Sequence, residues 1–273
     1  MMLHKKPNYL LYIPLTLLAV LFLLPVYVMV ITGFKGFDEI SLKAMWVLPR
    51  GLHFDNYIGA FNQLAPYFWN SLNLVFPAAI ISSILGSLNG YVLSKWKFPG
   101  SNIIFPLILF GLFIPYQSIL IPLVEFMRRV NLYGGLPGLV LTHIIYGIPI
   151  TTLAFRNYYA TIPNEMLEAA KIDGASLIGI YRHVMLPLSI PAFVVVLIWQ
   201  FTQAWNEFLF AVVLTDSPSW PITVALNNMA GTQVIAWNLQ MAGSLLVALP
   251  TLLVYIFLGR YFMRGMLTGA LRG

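Results

Sequence analysis

Six charge-poor apolar runs divide the chain. From Pro7 to Phe34 no charged side chain occurs, and Leu10–Thr32 is long enough to cross a bilayer core of about 30 Å as a helix. Runs at about Trp69–Ser94, Ile103–Val124, Leu136–Phe155, Ile190–Leu214 and Met241–Tyr261 predict five more spans. The third is interrupted by Pro106, Pro115 and Pro122. Proline is tolerated in a membrane helix where neighbours re-satisfy the freed backbone groups, so interrupted spans imply a packed bundle. Segments 53–68 and 218–239 are apolar but rich in aromatic and turn residues, and are read as lying on the membrane surface. Lys5 and Lys6 ahead of the first run resemble the start of a signal peptide. The run exceeds the usual ~7–15 residues and no A-x-A site follows, so it reads as a retained helix. The expected fold is all-α and polytopic: an N-terminal span and outer-surface segment over 1–68, then a core of five spans over 69–273.

Composition agrees with this pattern. Hydrophobic residues make up 59% of the 273 and charged residues 9%, against about 25% charge in soluble domains. So little charge cannot cover a water-facing surface, which excludes a soluble globular enzyme, a disordered chain and an ordinary nucleic-acid binder. The net charge of +6 is then topological. With the N-terminus inside, Lys5, Lys6, Lys95, Lys97, Arg156, Lys171, Arg182, Arg260, Arg264 and Arg272 fall on cytoplasmic segments. Lys35, Lys43, Arg50, Arg128 and Arg129 fall on outer ones, which makes ten against five. That is the direction of the positive-inside rule, so both termini are expected in the cytoplasm of a multi-pass protein. There is no cysteine, which excludes disulfides, thiolate metal sites and a cysteine nucleophile.

The connection between spans four and five, about 156–189, is too long for a simple turn. Pro163 and Asn164 form a helix start, and Glu165 and Glu168 suit a helix N-terminus. Gly174 after Asp173 is placed to stop that helix. A second stretch, about Ser176–Leu186, should end before Pro187. The segment reads as a short helix–turn–helix elbow, with an ordinary surface loop as the alternative.

Glu168-Ala169-Ala170, then Gly174, then Val184-Met185-Leu186-Pro187 have the spacing E-A-A-x3-G-x9-I-x-L-P with Val for Ile. This resembles the EAA loop of ATP-binding-cassette importer permeases. Asn70-Ser71-Leu72, Lys97-Phe98-Pro99-Gly100, Ala204-Trp205-Asn206-Glu207-Phe208-Leu209-Phe210 and the tail Arg260–Met266 resemble carbohydrate-importer permeases of the MalG-like type. Leu88–Trp96 and Pro221–Asn228 look most similar to the glucose/mannose and glucosylglycerol branch.

The resemblance implies a type I importer permease fold in a bacterial or archaeal inner membrane. It implies four kinds of partner besides the lipid bilayer: a second homologous permease, an ATPase dimer at the cytoplasmic face, an extracytoplasmic solute-binding protein, and a sugar or glycoside as cargo. No cofactor is expected on this chain. ATP and Mg belong to the ATPase, and no Gly-Lys pair for a phosphate-binding loop occurs here. On the same resemblance Glu165–Asp173 is the coupling helix. Glu168 would anchor it, Ala169 and Ala170 would allow close approach, Gly174 would set the elbow, and Leu186 and Pro187 would fix the start of span five. Read without the resemblance, Glu168 is a helix-dipole partner and Gly174 a plain C-cap.

Glu207 is the one acid inside a predicted span. An ionisable group at mid-membrane costs about 2.5–3.5 kcal/mol on insertion scales, so it faces a partner or a water-filled path. Gln200, Gln203 and Glu207 fall at i, i+3 and i+7, one face of a continuous helix. With Trp205 and Asn206 they form a candidate solute path, since amides, a carboxylate and an indole suit sugar hydroxyls and CH faces. A polar clamp between helices is the alternative. His143 stands alone in its span, with no companion for a metal. No catalytic group is expected: an intramembrane hydrolase lacks its G-x-S-x-G element. An ion-coupled secondary transporter is the remaining rival, since broken helices with polar groups serve it too.

Overall fold

The computed structural model describes residue 10, residues 12–230 and residues 236–270. Lys5, Lys6 and Arg272 of the charge pattern, and positions 231–235 of the second predicted surface segment, lie outside the described residues. Among the described residues all regular structure is helical, apart from one isolated parallel bridge between Gly134 and Thr215. The all-α expectation holds.

Helix α1 (Tyr12–Gly33) keeps its apolar side chains exposed along most of its length, as a lipid-facing span must. Helix α2 (Asp55–Lys95) has 41 residues, or about 60 Å at 1.5 Å per residue, twice the bilayer core. This corrects one expectation: residues 55–68 are the opening turns of α2, not a separate surface segment. Pro66 and Pro77 do not stop the helix. Ala60 and Leu64 before Pro66, Leu74 and Val75 between the two prolines, and Ala78 after Pro77 are all buried. Tertiary packing outweighs the cost of each proline.

The chain forms two compact units. The first takes the chain up to Ala65 together with Leu226–Ala248; the second takes Pro66–Ala225 and the chain from Leu249. In the first unit the loop after α1 is tied to itself. Lys35, 3% exposed, donates its ammonium to the Ala44 carbonyl at 2.7 Å. The Glu39 carboxylate accepts the Gly36 and Arg50 backbone N–H groups at 3.1 and 2.8 Å. Those bonds, that from Arg50 first, hold its pKa below the ordinary carboxylate value.

The second unit carries the remaining helices. Helix α3 (Ser101–Phe110) runs through a 3-10 turn to Phe113, and the chain bends by 90° before α4 (Leu120–Arg129). Pro115, with extended backbone, sits at the break. The third predicted span is thus a bent pair. Among the described residues, four helices are long and apolar enough to cross a membrane singly, and the count reaches six when each bent pair is one span.

Helix α5 (Leu136–Ala160) packs against α2 at Gly86 and Gly90. A Cβ on Gly90 would stand 2.6 Å from the Arg156 nitrogen, and one on Gly86 would collide with Thr151. The Gly-x3-Gly spacing therefore lets two backbones touch, as small residues do where lipid offers no hydrophobic drive. Next come α6 (Glu165–Ile172), α7 (Leu177–Ile180), a π-turn over Tyr181–Met185, and α8 (Leu186–Leu188). Helices α9 (Ile190–Asn206), α10 (Leu209–Leu214), α11 (Ile222–Met229) and α12 (Trp237–Ala270) follow, the last two shared with the first unit. The predicted fifth span, continuous over 190–214, is broken at Glu207, whose backbone is extended.

Candidate functional site

The elbow begins where α5 ends. The Asn164 carbonyl accepts from Leu167 and Glu168 N–H at 2.9 and 3.0 Å, opening α6. Its side chain turns away to accept from Lys95 at 2.9 Å, so the last residue of α2 holds the start of α6. Leu167, 3% exposed, is the buried anchor, and Lys171 lays its ammonium 4.4 Å over the Trp96 ring. Glu165, Met166, Glu168, Ala169, Ile172 and Asp173 all face outward, Ile172 at 86% exposure. Ala170 points the other way, half-buried against the aromatic cluster beneath. Of the two alanines, only Ala169 faces outward with its exposed neighbours.

Gly174 closes the helix with a Schellman motif. Ala175 N–H reaches the Ala170 carbonyl at 2.9 Å, and Gly174 N–H reaches Lys171 at 3.0 Å. Its φ is +81°, and a Cβ there would meet nothing within 4 Å. Glycine is needed for conformation, not for space. Ser176 then caps α7 by accepting from Gly179 N–H at 3.2 Å.

The second elbow helix does not stop at Pro187, which corrects the sequence expectation. Leu186 N–H bonds to the Tyr181 carbonyl, five residues back, so the backbone widens into a π-turn one residue ahead of the proline. Pro187 then falls in the first turn of α8, where its missing N–H costs little. The turn into α9 comes at Ser189, with a 76° bend. Leu186 is half-buried against the cluster, and Pro187 is exposed.

What mounts the elbow was not visible as a motif. Tyr91, Phe155, Tyr159, Ile180, Tyr181 and Met185 form a buried cluster joining α2, α5 and the elbow. Through it runs a relay of four hydroxyls. Tyr159 donates to Ser189 Oγ at 3.1 Å, which leaves Ser87 to donate to Tyr159 at 2.6 Å and Tyr181 to Ser87 at 2.9 Å. The Ser189 hydroxyl donates in turn to the Leu186 carbonyl at 2.9 Å. Tyr91 and Tyr158 hold the Leu177 and Leu188 carbonyls at 3.1 and 2.7 Å. The one sequence signal was a cluster of tyrosines at the ends of apolar runs, which also fits an ordinary interfacial belt.

The second feature is a cavity of about 650 Å³ beside the break between α9 and α10. Gln200, Gln203, Asn206 and Glu207 line it, with His143 and Tyr146 from α5 and Tyr116 across from them. The shared face arises from the break rather than from helical spacing, since α9 ends at Asn206. Glu207 is held on three sides. Its oxygens accept the Phe210 and Ala211 N–H groups at 2.5 and 3.0 Å, and its carbonyl accepts from the Thr223 hydroxyl at 2.9 Å. Oε2 also lies 3.5 Å from His143 Nε2. The carboxylate thus stands where a continuous helix would have supplied carbonyls. Gln200 is 7% exposed and bonds Ser82 Oγ at 2.8 Å, tying α9 to α2 at the cavity wall. Gly147 makes room for that amide. Trp205 does not line the cavity: 1% exposed, it stacks on Phe201 at 5.7 Å and meets Phe68 edge-on. It is a packing residue here, because on α9 it points opposite to Gln203. No group of three or more His, Cys, Asp or Glu able to hold a metal occurs among the described residues.

Comparison with known proteins gives a consistent result. The profile of the family described as binding-protein-dependent transport system inner membrane component matches residues 78–267. A probable ABC transporter permease of Pyrococcus horikoshii is 49% identical over 97% of this chain and 98% of its own length. The xylose/arabinose import permease of Haloferax volcanii is 37% identical, over 91% of this chain and 88% of its own. Among solved structures, a chain of a bacterial ABC transporter involved in import of the acidic polysaccharide alginate superposes with a TM-score of 0.80 at 20% identity, covering 96% of this chain and all of that one. At that identity the likeness concerns the fold.

Proposed function

Because the chain belongs to the family of binding-protein-dependent transport system inner membrane components, we propose that it is one permease half of an ATP-driven importer of a sugar or small glycoside. The sugar is supported by the xylose/arabinose permease among the relatives. The ion-coupled alternative is not favoured by this family. The observation that carries the mechanism is the mounting of α6. A lever transmits force only if it does not bend where it is held. Here a four-hydroxyl relay, a Schellman closure and a buried leucine hold one face, while Glu165, Glu168, Ala169 and Ile172 stand free on the other.

In this reading the free face seats in a groove of a separate ATPase subunit at the cytoplasmic side, with both termini of the chain on that side. Glu168 makes a charge-assisted contact with a basic group there. ATP and its Mg are bound by that subunit. Movement of α6 passes through the π-turn and Ser189 into α9, which carries Gln200 and Gln203 beside the cavity and ends just before Glu207. A second permease completes the solute path, and an outer solute-binding protein delivers the sugar.

The test is Glu168→Lys in the complex purified through this chain. The expected outcome is normal insertion and pairing with the second permease, loss of the ATPase subunit on purification, and loss of ATP-driven uptake. Normal co-purification with coupled hydrolysis would refute the lever.

A further inference from the structure

The charge of the cavity bears on which saccharides enter it, an inference that rests on the importer reading above. Among the described residues its wall holds one carboxylate and one imidazole, Glu207 and His143, 3.5 Å apart, and no Lys or Arg. With His143 neutral the wall is net negative; with His143 protonated it is neutral. In neither state does it become positive. The carboxylate is also committed, since both oxygens accept backbone N–H groups of α10.

The other polar groups are uncharged. Gln203 is exposed to the cavity and has no hydrogen-bond partner among the described residues, and the phenols of Tyr116 and Tyr146 stand close by. Trp199 and Phe208 add exposed aromatic surface. Amide, phenol and aromatic surface suit the hydroxyls and CH faces of a neutral sugar ring. A uronate would give up the hydration of its carboxylate, find no Lys or Arg among the described wall residues and face Glu207 at short range.

We infer that this chain contributes its own saccharide subsite at the α9–α10 break, open to uncharged sugars and closed to acidic ones, with Glu207 as the rejecting group.

The absence of cysteine makes a direct test possible. Gln203→Cys places a single thiol of this chain on the cavity wall, in the full complex in membranes. Its reaction rates with a cationic and an anionic methanethiosulfonate are measured, each normalised to a small thiol in solution. One uncompensated charge a few ångströms away predicts a cation preference of about tenfold. Adding Glu207→Gln, which keeps an oxygen for the α10 cap, should bring the ratio close to one. Adding His143→Ala, which leaves the cap untouched, should preserve it. Equal rates for the two reagents, or a preference unmoved by Glu207→Gln, overturns the inference. ATP-driven uptake of xylose, glucose and maltose by the unmodified complex is scored separately. Failure of all three counts against the saccharide-importer reading, and leaves the charge measurement standing.

Discussion

Gly174 offers a quantitative test of the elbow, because its two possible roles predict opposite substitution series. Its φ of +81° is left-handed, and a Cβ would meet nothing within 4 Å. Sterics against neighbours therefore contribute nothing, and the whole cost of a side chain is conformational. For alanine that is about 1–2 kcal/mol, a factor of about 5–30 in the equilibrium for opening the turn. Asparagine tolerates this region better and should cost less. A β-branched valine should cost more than alanine. The hydrogens that report the opening are the amides of residues 174 and 175, bonded to the Lys171 and Ala170 carbonyls. Hydrogen exchange on the purified complex should show protection at these two amides falling in the order Gly, Asn, Ala, Val, by about 5–30-fold at alanine, with uptake falling in the same order. Unchanged protection in Gly174→Ala would refute the conformational argument. An order that follows side-chain size, with asparagine worse than alanine, would show that a partner surface and not the turn is what glycine serves.

The remaining predictions concern the ties beneath the elbow and the loop after α1. Tyr159→Phe removes one hydroxyl from the relay but orphans little: Ser189 keeps its bond to Leu186, and Ser87 can turn to a carbonyl in its own helix. The expected cost is therefore about 1–2 kcal/mol, seen as a few degrees in thermal denaturation, with weaker coupling between ATP hydrolysis and uptake; no change in either measurement would remove the relay from the account. Glu39, whose pKa is held down by the Arg50 and Gly36 N–H groups, stabilises its loop fully above the ordinary carboxylate value of 4.5 and loses that contribution as pH falls through its lowered value. Limited proteolysis of the loop should quicken on acidification across that window in the native chain and be fast at every pH in Glu39→Ala; equal pH profiles for the two chains would contradict this.

Much of the organisation was legible because the bilayer is a demanding solvent. Apolar runs marked the long membrane helices, four of which among the described residues are long and apolar enough to cross singly, and the spacing from Glu168 to Pro187 marked the elbow. The errors fall where packing rewrites local rules. Segment 53–68 read as lying on the membrane surface, yet residues 55–68 open α2, and buried residues carry that helix past Pro66 and Pro77. Pro187 suggested a stop, yet a π-turn moved it into a first turn. Helical spacing put Glu207 with Gln200 and Gln203 for the wrong reason, since the helix has already ended there.

The sequence by itself determined that the chain lives in a membrane and where the charged elbow lies. Those follow from the cost of burying charge and backbone in lipid, which is read residue by residue. Only the tertiary structure decided that Trp205 packs inside while His143 meets Glu207, that Ala170 faces the core while Ala169 faces out, and that four hydroxyls join in one relay. These are contacts between residues far apart in the chain, and they depend on which faces of three helices come together. No local pattern encodes that choice; the close approach of α2 and α5 at Gly86 and Gly90 makes it.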